Sequence, residues 1–160
     1  MTFSLKEIKC KIFLLLTLFV GVFSYAQEVM IGKINPVQGN AMLVQNSYEQ
    51  GQASIFRLNY QNKVNGNQGR QKTIEFSATQ EEYDFLFDQI KEVFKVKEKK
   101  TLLLDQSVKV SLSLITNTDL EFTIYKDEVQ QGAFSTSATG IHLLFGKPWD
   151  KQAWNIFLNQ

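Results

Sequence analysis

The feature that most constrains this chain is the apolar–polar alternation in its second half. Val108, Val110, Leu112 and Leu114 alternate with Lys109, Ser111 and Ser113. After a turn at Asn117-Thr118, Leu120, Phe122 and Ile124 alternate with Asp119, Glu121, Thr123 and Tyr125. A period of two sends successive side chains to opposite faces of a strand. Two such runs joined by a short turn make an antiparallel hairpin with one apolar face and one polar face. The apolar face must be covered by another element.

The cover is encoded upstream. Tyr83, Leu86, Phe87, Ile90, Val93 and Phe94 recur at helical spacing, which predicts an amphipathic helix over 80–95. Thr79 and Glu82 stand three residues apart, as a capping box requires. Glu81, Glu82 and Asp84 crowd its start, and Lys95, Lys97, Lys99 and Lys100 follow its end, complementing the helix dipole. Any part of the sheet that this helix leaves bare predicts a homodimer or a cleft for an apolar ligand.

Elsewhere the chain reads as short strands: 29–34, 41–45, 53–60, 73–77, 102–104, 129–137 and 141–145. The Asn- and Gly-rich segment 62–69 marks a loop or hairpin turn between two of them. Pro148 suits a first helical position, and Ala153, Trp154, Phe157 and Leu158 share one side, so 148–158 is expected to be a short helix. The expected fold is α+β: an antiparallel sheet of about seven or eight short strands, one long amphipathic helix on one face, and a short C-terminal helix.

The first residues bear on location. Lys6, Lys9 and Lys11 precede an apolar stretch at 12–23, and Ser24-Tyr25-Ala26 supplies small residues at a cleavage site. This pattern predicts a secretory signal peptide at 1–26 and a single domain at 27–160. The apolar stretch is shorter than the roughly 20 residues of a spanning helix, so the cleaved chain is expected not to be integral to a membrane. Removing Lys6, Lys9, Lys11 and Glu7 takes the 17 basic and 16 acidic residues to 14 and 15, a formal net charge of −1. Such a balance argues against nucleic acid as a partner. The only cysteine, Cys10, falls within the signal, which leaves no disulfide, thiol nucleophile or thiolate ligand afterwards.

Recognisable chemistry is sparse. One histidine, His142, sits in a predicted strand, where it is expected to face solvent or the sheet edge; a zinc site needs three or four ligands. Ser135 and Ser137 lie near His142 in sequence, but no G-x-S-x-G elbow accompanies them. Neither a P-loop nor a dinucleotide-binding glycine motif is present. No catalytic residue, metal ligand or cofactor site is therefore assigned. Asp119 and Glu121 project from one strand face about 7 Å apart, with Thr123 and Tyr125 continuing the stripe. With Trp149, these are the candidate binding residues.

The reading is an exported, non-catalytic binding or interaction module of the periplasm or exterior, with an unknown ligand for which an envelope or secreted protein is one candidate. The alternatives are a small carboxylate-dependent hydrolase acting on a glycan, and an inhibitor or immunity-type protein. Signal cleavage has a direct check: N-terminal sequencing of the chain recovered outside the cytoplasm should begin at Gln27.

Overall fold

The computed structural model describes residues 28–35, 40–46, 52–64 and 67–148. The expected signal peptide, Trp149 and nearly all of the expected helix at 148–158 lie outside them. Four strands come first: β1 (Glu28–Ile34), β2 (Ala41–Asn46), β3 (Ser54–Val64) and β4 (Asn67–Ala78). Helix α1 (Gln80–Val96) follows, then β5 (Lys100–Leu103), β6 (Val108–Leu114), β7 (Asp119–Lys126), β8 (Val129–Ser137) and helix α2 (Ala138–Phe145). The fold is α+β.

The strands form two four-stranded antiparallel sheets, ordered β1-β2-β3-β4 and β5-β6-β7-β8, where the sequence suggested one. The reason lies in the connections. Within each sheet, strands consecutive in the chain are neighbours in the sheet, the order that hairpin connections produce. Between β4 and β5 stands α1, which carries the chain away before the second meander begins. The β3–β4 ladder is longer than expected and runs to Val64↔Asn67, leaving only Asn65-Gly66 between the strands. That dipeptide is the strongest short hairpin signal available.

α1 has 17 residues, so its length is ordinary for a globular helix. Its capping box is present: Thr79 Oγ1 accepts from Glu82 N at 3.2 Å, and Glu82 Oε2 accepts from Thr79 N at 2.8 Å. Lys97, in the left-handed region with φ 59°, ends it. Its six predicted apolar residues are all buried.

Segment 141–145 corrects the expectation of a strand. It belongs to α2, for which Ser137 Oγ accepts from Gly140 N at 3.2 Å, and Gly146 at φ 61° closes the other end. Ala138, Ile141 and Phe145 recur at helical spacing and are buried with Leu144. His142 is likewise buried, 4% exposed, rather than facing solvent. Its ring meets Phe87 of α1 edge-on, with centroids 5.1 Å apart.

One core serves both sheets and both helices. Phe76, Phe56 and Tyr83 stack in sequence, with centroids 5.4 and 4.8 Å apart, linking the first sheet to α1. Tyr83 continues to Phe145 of α2, and its hydroxyl donates to the Phe145 carbonyl at 2.8 Å. Across the other side, Phe122 stacks on Phe134, which packs against Tyr60 of the first sheet. Among the described residues, no helix is long and apolar enough to cross a membrane.

α2 packs onto the first sheet over β1 and β2, and at Gly32 it approaches at very close range. A Cβ on Gly32 of β1 would overlap the Leu143 carbonyl oxygen and lie 2.7 Å from the Leu144 carbonyl carbon. Only a residue without a side chain permits this approach. The ladder between β1 and β2 also shifts register between Met30 and Gly32, as a bulge does.

Two predictions follow from this packing. Gly32→Ala should cost about 2 kcal/mol or more, because backbone must move to admit the methyl group; urea unfolding would measure it. His142 is held below its ordinary value of 6.5 by burial, with Lys91 acting in the same direction and backbone hydrogen bonding at Lys147 and Pro148 opposing. The folded chain therefore favours the neutral ring. That contribution is complete above pH 6.5 and is lost as the pH falls through the lower folded value. Unfolding free energy should drop between roughly pH 7 and pH 5, and His142→Phe should remove most of that slope.

Candidate functional site

Four strands sit at sheet edges, and the chain treats them differently. β1 has α2 packed over its face at Gly32, as described. β8 receives side chains from the first sheet: Asn62 Oδ1 accepts from Ala133 N at 2.9 Å, Lys72 donates to the Gln131 carbonyl, and Lys63 donates to Ser135 Oγ. β4 carries Arg70, Lys72 and Glu75 along its length, charges of the kind that discourage further pairing. Its end is also tied, because Ser77 N donates to Asp105 Oδ2 at 3.2 Å.

β5 is the exception. Leu104 N donates to Val108 O at 2.8 Å, and Leu102 pairs with Val110 in the same ladder. Antiparallel alternation then turns the N–H and C=O groups of Thr101 and Leu103 outward, along an edge that no other described strand pairs. Leu103 is 66% exposed.

A groove of about 390 Å³ runs beside this edge. Phe76 and Ala78 of β4 form one part of its lining, Tyr83, Phe85 and Leu86 of α1 another, and 101–104 the third. Phe85 is 61% exposed on its rim. Phe76, Leu86 and Leu104 also border a small apolar void of about 30 Å³ in the core, so the groove is floored by core side chains. The carboxylate in its lining belongs to Glu82, which is committed to the cap of α1.

Charged residues flank β5 in sequence, although none of them lines the groove. Lys97, Lys99 and Lys100 lie where α1 turns into β5, and Lys100 donates to Gln89 Oε1. Asp105 lies past the other end of β5, and Glu81 on the first turn of α1. Burial raises the Asp105 pKa, but hydrogen bonds from the Ser107, Val108 and Ser77 N–H groups outweigh it and hold the carboxyl below its usual value. Asp105 is thus a fixed anion at that end.

The residues singled out from sequence lie elsewhere. Asp119, Glu121, Thr123 and Tyr125 are all half-buried along β7, on the outer face of the second sheet. Glu121 stands between Ser113 and Ser135, Thr123 between Ser111 and Ala133, and Tyr125 opposite Lys109 and Gln130. Asp119 Oδ2 accepts from Thr116 Oγ1 at 2.7 Å, so this carboxylate fastens the β6–β7 turn. The four share one polar face, and none lines the groove.

Other chemically suggestive groups have structural partners. Ser137 caps α2, Ser135 takes the Lys63 ammonium, and His142 packs on Phe87. Among the described residues, no group of three or more His, Cys, Asp or Glu side chains is placed to hold a metal ion.

Phe85 and Leu103 were missed by periodicity alone, although the sequence carries a signal for each. Phe85 is an aromatic residue off the apolar arc of its helix. Leu102-Leu103-Leu104 are consecutive in a strand, where at least one must point away from the core. No protein-family model, curated protein or solved structure matches this chain.

Proposed function

We propose that this chain is exported, loses residues 1–26, and acts outside the cytoplasm as a non-catalytic interaction module. Its docking site is the groove beside β5. The observation carrying this reading is the combination of an outward-turned strand edge with an adjoining apolar groove, rimmed by exposed Phe85 and Leu103. An extended partner segment could add to β5 through main-chain hydrogen bonds and set its side chains into the groove. The polar face with Asp119, Glu121, Thr123 and Tyr125 is the alternative docking surface on the same module. An inhibitor of another secreted protein would use the same groove, differing only in what it holds.

Site-specific photo-crosslinking in the living host tests the assignment. A photoreactive residue replacing Leu103 should yield a discrete protein adduct, and one replacing Thr123 should yield little. An adduct at Thr123 alone would move the docking site to the polar face. No adduct at either position would overturn the interaction-module reading.

A further inference from the structure

We infer that the exported chain carries its first residue, Gln27, as a pyroglutamyl lactam, a covalent cap immediately before β1. The inference rests on the reading that residues 1–26 are removed on export, and adds a modification that this cut makes possible. Its basis is the identity of the residue that the cut exposes, together with the anchoring of the residue after it.

Within a chain, the backbone nitrogen of a glutamine is an amide and a poor nucleophile. Cleavage after Ala26 turns the Gln27 nitrogen into an amine, separated from its own side-chain carboxamide by three carbons. The amine nitrogen attacks the carboxamide carbon Cδ, the Cδ–Nε2 bond breaks, and ammonia leaves with the proton that the amine gives up. One C–N bond forms and one breaks, so the step needs no oxidant, reductant or co-reactant. The product is an unstrained five-membered ring that has lost the charge of the terminus. Asparagine, one carbon shorter, would have to close a four-membered ring.

The start of β1 suits this reaction and gives it a purpose. Glu28 faces Asn46 in the ladder, and its carboxylate receives the Arg57 guanidinium. Arg57 Nε also donates to Glu75 Oε1 at 2.7 Å, so the guanidinium is held from two sides. With Glu28 committed to Arg57, the carboxylate adjacent in sequence to the new amine is not free to hold it as an ammonium, the form that cannot attack. An α-amino group titrates at about pH 8, which leaves a neutral fraction at neutral pH. Glu28, Val29 and Met30 are all exposed, so this end of the strand is accessible to enzymes that trim a chain from its amine. Such enzymes require a free α-amine, and the lactam offers none. What the cap protects lies a few residues on, at Gly32, where α2 meets β1 at backbone range.

Intact-mass measurement tests the inference on the full chain, expressed in its host with a C-terminal tag and recovered outside the cytoplasm. The expected mass is that of the chain from Gln27 onward less one ammonia, and fragmentation of the N-terminal peptide should place the loss at Gln27. The chain should resist an aminopeptidase until a pyroglutamyl peptidase has removed the ring. Gln27→Asn should show the full mass of its sequence and be trimmed by the aminopeptidase directly.

A chain that begins at Gln27 with its full mass and a reactive α-amine overturns the inference and keeps the reading of export. A chain that retains residues 1–26, or that begins elsewhere, refutes both. A loss of ammonia that maps to another residue, or that persists in Gln27→Asn, also overturns the lactam.

Discussion

The structure depends on the contact between Gly32 and the backbone of α2. α2 follows the second sheet in the chain, yet it lies against β1 and β2 of the first sheet as well as β8. α1 follows the first sheet and packs on both β4 and β6. Each helix therefore bridges the two sheets. The bridge by α2 works at backbone distance, where a single methyl group would break the fit. The aromatic stack through Phe76, Phe56, Tyr83 and Phe145 then has a fixed far end, and the Tyr83 hydroxyl finds the last turn of α2. Neither meander has to support itself as an isolated four-stranded sheet with a bare face.

Much of this was legible in the residues. The period of two at 108–126 predicts β6 and β7 closely, and the Thr79/Glu82 pair locates the start of α1. These are local signals, written in neighbouring residues. What escaped was the division into two sheets, since alternation says which face is apolar but not which other face will meet it. α2 escaped for a different reason. Its run of Ile, His, Leu, Leu and Phe is short and apolar, and such a run suits a buried strand or a buried helix equally. Ser137 and Gly146 settle the matter, as an N-cap and a left-handed terminus nine residues apart. Read together, these two residues mark a helix.

The groove beside β5 illustrates the same limit. The polar stripe from Asp119 to Tyr125 is visible from periodicity, and the structure does place its four residues on one face. The groove instead joins Phe76 and Ala78 of β4, Phe85 and Leu86 of α1, and Leu103 of β5. Three elements meet there because the chain passes from one sheet to the other at this corner. A composite surface of this kind has no linear motif. Its traces in the sequence are two hydrophobic residues that their own elements do not need for the core.

The position of α2 also has a kinetic meaning. Gly32 lies near the start of the described chain, and its partners Leu143 and Leu144 come more than a hundred residues later. Closing so long a loop is slow, because its entropy is spent before the contact forms. The first meander can form its hairpins early, but the face of β1 at Gly32 stays unpacked until α2 has been made. The native state is thus withheld until the last helix is delivered. A chain built this way completes the packing over β1 only once α2 is present.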